Sequence, residues 1–349
     1  MPNYQPQELI NLAVHILESI GVPQEDAAVV ADALVQADLE GISSHGISRL
    51  SIYARRMMEK RIETNPNIHI ERAGNVLKVD GGNGLGHVVT FRAIQAAIPL
   101  AKQEGIAAIA VRNSNHNGTA SYYCRIACKE EIILIGMTNS PPGIVPTGGK
   151  KAFLGTNPIA FGFPARTSPP IIVDMSTSVA ARGKIILAAK QGEKIPAGWA
   201  VDREGLITTD AKEALSGAVL PFGGAKGYAL ATAIELLTGV LSGAAFGPHV
   251  QNIYDDKAKK ANVGHTFFLL HIPHWMPMEG YYRRVEQFVE ELKSAPKAGD
   301  ADEIYYPGER RYQRYLETLH SGISLSDEVW EELKQLAAMY GIPVRRLKW

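Results

Sequence analysis

The chain has 349 residues, 46% of them apolar, which suits two or three folded domains and excludes a disordered polymer. Its 36 Lys and Arg balance 36 Asp and Glu, so the whole-chain charge leaves no basic footprint for nucleic acid or an anionic membrane. The two cysteines, Cys124 and Cys128, sit four apart on a predicted helix, where they do not readily close a disulfide. No charged segment leads into an apolar one at the N-terminus, so a reducing, cytoplasmic setting and a small-molecule partner are expected.

Leu9, Leu12, Ala13, Ile16 and Ile20 recur at helical spacing up to Gly21, and Pro23 opens a second helix with Glu25 and Asp26 in its first turn. That helix stops near Gly41. A third helical stretch carries Ser44, His45, Arg49, Tyr53 and Arg56 before Asn65-Pro66-Asn67 breaks it; on it His45 and Arg49 share a face that Tyr53 extends by one turn. From 68 to 163 the pattern alternates strands (76–79, 106–111, 132–137) with helices (90–103, 119–129), an α/β signature. A further strand at 171–173 passes into a helix near Val179. Residues 227–247 are long and mostly apolar, but Glu235 near the middle makes them a buried helix and not a membrane span. Val285, Phe288, Val289 and Leu292 form one stripe, 305–309 a turn, and 327–340 a last helix opened by a capping-box-like Ser324 and Asp327. We therefore expect a helical N-terminal segment, 1–75, carrying substrate-site residues and packing with 285–349, around an α/β cofactor-binding and catalytic region, 76–284.

Three strand ends carry polar clusters: Asn113-Ser114-Asn115-His116-Asn117, Thr138-Asn139-Ser140 and Asp174-Met175-Ser176-Thr177. Ligands gather at the carboxyl ends of strands in open α/β sheets, so the His116 loop is either a solvated turn or a site of chemistry. The dinucleotide fingerprint is missing, because Gly81-Gly82-Asn83-Gly84-Leu85-Gly86 has the wrong spacing. The run 143–151 fails as a P-loop, with Lys151 where Ser or Thr would bind magnesium. No metal site is expected, since the ten histidines contain no H-E-x-x-H and the cysteines no C-x-x-C. His45 beside Arg49 is more informative. A guanidinium holds a carboxylate bidentately while an imidazole exchanges a hydroxyl proton. Lys226, flanked by Gly223, Gly224 and Gly227, is an exposed loop lysine or a phosphate contact.

Together these pieces resemble the malate/L-lactate dehydrogenase family, which also includes ureidoglycolate and sulfolactate dehydrogenases and cyclic-imine reductases. The similarity runs along nearly the whole chain through Ser44-His45-Gly46 with Arg49, residues 113–118, Met137-Thr138-Asn139-Ser140, Pro146-Thr147-Gly148-Gly149, Leu154-Gly155-Thr156-Asn157-Pro158, Asp174-Met175-Ser176-Thr177 and Lys226-Gly227-Tyr228. The resemblance implies a non-Rossmann nicotinamide-binding α/β domain with a helical domain built from both chain ends, NAD (NADP possible) as cofactor, and a homodimer or larger assembly of dimers. It also implies hydride transfer between a small 2-hydroxy acid and its 2-oxo acid. By the same resemblance His116 is the proton acceptor, with His45 and Arg49 in the substrate site; Ser44 is expected to polarise His45, and Tyr53, one turn along the face of Arg49, to lie toward the substrate. Ser140, Asp174, Met175, Ser176, Lys226, Pro307, Gly308 and Glu309 are the implied cofactor contacts. His45 is the alternative base. The short 220–226 loop, Tyr254-Asp255-Asp256 and Tyr305-Tyr306-Pro307-Gly308 lean toward ureidoglycolate, whereas 141–146 is similar to malate-type members. A dinucleotide sensor without catalysis is the reading from another class, and it leaves the His45, Arg49 and His116 set unexplained.

Overall fold

A computed structural model describes residues 3–253 and 260–344. The chain opens with β1 (Asn3–Tyr4), α1 (Pro6–Ser19) and α2 (Gln24–Leu39). Proline at the start of α1 suits a position whose N–H has no partner in a helix. Residues 43–58 do not form one helix. Two short 3-10 turns, Ser43–His45 and Ile47–Arg49, meet at an extended Gly46, and only then does α3 (Leu50–Met58) begin. His45 and Arg49 are thus brought together by two turns and not by α-helical spacing.

The strands β2 (His69–Ala73) and β3 (Val76–Asp80) follow, so 69–73 belongs to the sheet and not to a helical segment. Next come α4 (Gly86–Glu104), β4 (Ile106–Ser114), α5 (Ala120–Cys128), β5 (Ile132–Thr138), β6 (Ile159–Phe163) and β7 (Ile171–Met175). A small lobe then holds α6 (Arg182–Gln191), β8 (Ala200–Val201), β9 (Ile207–Thr208), α7 (Ala211–Ser216) and β10 (Ala218–Val219), whose strands pair in the order β10-β8-β9. The helix after β7 therefore starts at Arg182 and not near Val179.

The apolar stretch from 227 divides. α8 (Ala225–Glu235) gives way to a wider-wound π turn, Leu236–Val240, and Leu236, Val240 and Leu241 are more than half exposed, so this is not a fully buried helix. The chain closes with β11 (Val263–His271), α9 (Met278–Lys293), α10 (Glu309–Ser321), β12 (Ile323–Ser324) and α11 (Asp327–Met339). Ser326, and not Ser324, caps α11, its hydroxyl accepting the Val329 N–H.

The seven-stranded sheet runs β2-β3-β4-β11-β5-β6-β7. β3 and β4 are its parallel pair and the other neighbours are antiparallel. Because β11 runs against both β4 and β5, and β6 against both β5 and β7, the carboxyl ends of β3, β4, β5 and β7 all reach one edge. One apolar core lies between α4, α5 and this sheet. A second joins α1, α2 and α3 to Ile323, Trp330 and Leu333. α9 contributes no buried residue.

Candidate active site

The three polar strand ends meet at that edge. His265 of β11 links two of them, its Nδ1 lying 2.7 Å from Thr138 Oγ1 and its Nε2 3.0 Å from Ser114 Oγ. Asp174 supplies the third link, since its carboxylate accepts the Ser121 N–H at the start of α5, just past the His116 loop. A glycine brings the loop down onto α4: a Cβ on Gly86 would overlap the carbonyl oxygens of Asn115 and His116. The glycine run without a Rossmann spacing thus permits close packing beneath the loop.

Half-buried His116 rests on Tyr53, whose hydroxyl is 2.6 Å from its Nδ1. Tyr53 is 1% exposed, so it packs inside the protein against the imidazole. The His45 ring lies 5.3 Å from the His116 ring, and Ser44 Oγ lies 2.9 Å from His45 Nδ1. Arg49 Nε donates to the Ser44 carbonyl, which turns the guanidinium back over the same turn. His87 of α4 stacks edge-on, 5.5 Å from the Tyr53 ring and 6.3 Å from His116.

Electrostatics keep this cluster neutral. Burial, reinforced by His45, His87, Arg49 and His265, holds His116 well below the usual histidine range. Burial and then Arg49 and Arg311 lower His45 to about 4, while burial lowers His87 and His265 to about 3. Burial also pushes the Tyr53 phenol up, so it stays protonated. The arrangement offers neutral imidazoles able to take a proton, next to a fixed cation.

The implied cofactor contacts form one connected strip. The Thr156 N–H donates to Ser140 Oγ at 2.9 Å, the Thr177 N–H to Thr156 O, and the Phe222 N–H to Thr177 O. Phe222 leads into Gly223 and Gly224, both at positive φ with open space where a Cβ would project, and then into exposed Lys226 in the first turn of α8. A helix N-terminus behind two bare glycines, with a lysine on it, is a donor set that fits a phosphate group. At the far end the Ile172 N–H donates to Pro307 O, and a Cβ on Gly308 would crowd the Ile172 backbone at 3.0–3.1 Å. That contact clips the 307–309 turn onto β7 beside exposed Met175 and half-buried Ser176.

Two of the expected side chains are committed inside the protein. The Asp174 carboxylate takes Ser121 N–H and Arg311, and Glu309 takes Lys293 and the Tyr306 N–H. They shape the strip and leave the outward positions to their neighbours. A cavity of about 680 Å³ lies between Pro146-Thr147-Gly148-Gly149, the small lobe and 220–225, away from the imidazoles. Among the described residues no cluster of His, Cys, Asp or Glu is placed to hold a metal.

Spacing did not reveal Tyr53 as a support, nor His87, His265 and Arg311. His265 lies on an apolar strand 151 positions from its Ser114 partner. Arg311 had a signal, being two residues past the 307–309 turn.

The sequence profile of a family described as malate/L-lactate dehydrogenase matches residues 4–334. A malate dehydrogenase of Pyrococcus horikoshii is 40% identical over 343 residues, 96% of this chain and 94% of that protein, and its solved structure superposes with a TM-score of 0.89. The sulfolactate dehydrogenase of Methanocaldococcus jannaschii superposes with a TM-score of 0.93 at 36% identity, covering 98% of each chain. A ureidoglycolate dehydrogenase (NAD(+)) of Escherichia coli K12 is 34% identical over 316 residues, 90% of this chain and 89% of that protein. The chain belongs to the malate/L-lactate dehydrogenase family and is an oxidoreductase.

Proposed function

We propose that the enzyme oxidises a small 2-hydroxy acid to its 2-oxo acid, and the reverse, with His116 moving the hydroxyl proton and Arg49 holding the carboxylate. The observation that carries this is the neutral Tyr53–His116 pair beside His45 and Arg49. The nicotinamide, when bound along the Ser140 to Lys226 strip, supplies the hydride chemistry. With its Nδ1 proton donated to the Tyr53 oxygen, His116 presents a bare Nε2 and takes the hydroxyl proton as the acid is oxidised; the protonated ring returns it in reduction. Arg49 clamps the carboxylate and fixes which face of the carbon is presented. His45, held by Ser44, donates to or accepts from the substrate oxygens. Met175, Ser176 and Lys226, with Pro307 and Gly308, line the cofactor, and burial under them excludes water.

For the substrate, an acid carrying a second anionic group, of the malate or sulfolactate type, is favoured, because relatives named for such acids are 37–40% identical to this chain against 34% for the ureidoglycolate enzyme. Ureidoglycolate is the second reading. It rests on the short loop before Lys226 and the 305–308 turn, the Tyr254-Asp255-Asp256 piece lying outside the described residues. The exposed apolar Leu236, Val240 and Leu241 support a homodimer, testable by light scattering on the purified protein.

Initial rates with both cofactors across malate, sulfolactate, lactate and ureidoglycolate test the substrate. His116→Ala should lower turnover by about 10²–10⁴-fold and leave cofactor affinity nearly unchanged. Near-normal turnover in that variant would transfer the proton step to His45. Cofactor binding without turnover of any acid would favour the sensor.

A further inference from the structure

The turn that presents His45 and Arg49 has no helical ladder of its own. Its two 3-10 turns are joined at extended Gly46, and each closes locally, through His45 N–H to Ile42 O and Arg49 N–H to Gly46 O, both at 2.9 Å. Ser48 Oγ to Ser43 O and Arg49 Nε to Ser44 O tie the turns to each other. These bonds fix the shape of the turn but not its position on the scaffold.

The last turn of α2 supplies that anchor. Asp38 is 7% exposed, and its Oδ2 accepts the Ile47 N–H at 2.6 Å. Its carboxyl group also occupies the space in front of Gly46. A Cβ there would overlap Oδ1, Cγ and Oδ2 together. Gly46 has negative φ, so glycine is required by this contact and not by backbone conformation. The acid and the glycine fit as a pair directly between His45 and Arg49.

We propose that Asp38 is the positioning residue of the substrate clamp: seated on Gly46 and holding the Ile47 N–H, it sets where His45 and Arg49 stand relative to His116. This rests on the reading that Arg49 and His45 hold the substrate. Asp38 touches neither substrate nor cofactor. Its removal shifts the clamp and leaves the Ser140 to Lys226 strip in place.

Steady-state kinetics on the full-length enzyme, with acid and cofactor varied separately, provide the test. Asp38→Ala should raise the KM of the acid by about tenfold or more with cofactor KM within about threefold, and Asp38→Asn, which keeps an acceptor oxygen, should restore the acid KM to within about threefold. Gly46→Ala should raise the acid KM as Asp38→Ala does. The double variant Asp38→Ala with Gly46→Ala should be no worse than the poorer single one, because deleting the carboxyl clears room for the new methyl. Arg49→Ala separates the two levels: an unchanged acid KM there removes the clamp reading itself. If Arg49→Ala raises it while Asp38→Ala does not, or while Asp38→Ala damages acid and cofactor KM alike, Asp38 is not the positioning residue. Should Asp38→Ala fail to fold, Gly46→Ala with a normal acid KM overturns the proposal equally.

Discussion

Asp38→Asn should stabilise the protein in mild alkali and do so much less in mild acid. Burial lifts the Asp38 carboxyl from 3.8 to about 7, against the downward pull of the Ile47 N–H. Between those values the folded protein keeps a proton that the unfolded chain has released. The contribution of this group to stability is therefore highest below 3.8 and declines as pH rises to about 7. Each pH unit of that window is worth about 1.36 kcal/mol, so the full decline is on the order of 4 kcal/mol. Asparagine has the same shape and no charge to bury, so the variant escapes the decline. Other titrating groups act in both proteins and cancel in the difference. The assay is thermal unfolding of both proteins at one protein concentration, near about pH 5 and about pH 8. The gap between the melting temperatures should be small near the lower pH, where about a third of the decline has accrued, and grow to several degrees at the higher one. An equal gap at both values would refute burial as the force that governs Asp38.

Four further outcomes follow from the same geometry. Tyr53→Phe removes the partner of His116 Nδ1 and should cut turnover about tenfold with both KM values nearly unchanged, measured by initial rates; equal turnover would deny Tyr53 a role in orienting the ring. Gly86→Ala forces a methyl against the Asn115 and His116 carbonyls and should cost about 1–3 kcal/mol in denaturant titration along with most activity. In the oxidation direction, kcat/KM should stay flat through the ordinary histidine range and fall only well below 6.5, because His116 stays neutral to low pH; a limb near 6.5 would assign the proton to another group. The neutral His45, His87 and His265 leave stability intact above 6.5 and erode it as pH falls from there toward about 3, so acid unfolding followed by tryptophan fluorescence should be shallower in His87→Phe.

The strand and helix periods of 106–137 were legible in the sequence because each element buries one regular face. The polar strand ends were legible because turn formers interrupted apolar runs there. The edge at which they meet was not, since it depends on β11, whose apolar pattern does not say which strands it will separate. His45 and Arg49 were read on one continuous helix, which Gly46 in fact interrupts, and no spacing shows that the Asp38 carboxyl fills the side-chain space there. Tyr53 shows the same limit. A tyrosine on the expected helix face reads as outward until its burial turns the hydroxyl onto a neighbour 63 positions away.

The place of β11 in the sheet has a consequence for how the molecule is made. β4 and β5 are separated by a strand that leaves the ribosome long after both of them, and the bonds of His265 to Ser114 and Thr138 close loops of 151 and 127 positions. Until that strand arrives, the facing edges of β4 and β5 stand open and the ends of β4 and β5 lack the His265 link between Ser114 and Thr138. Such distant closure predicts slow maturation, with a nascent chain that depends on protection against pairing with its neighbours. Activity should accordingly emerge in a single late step of refolding, at the moment the middle of the sheet is filled.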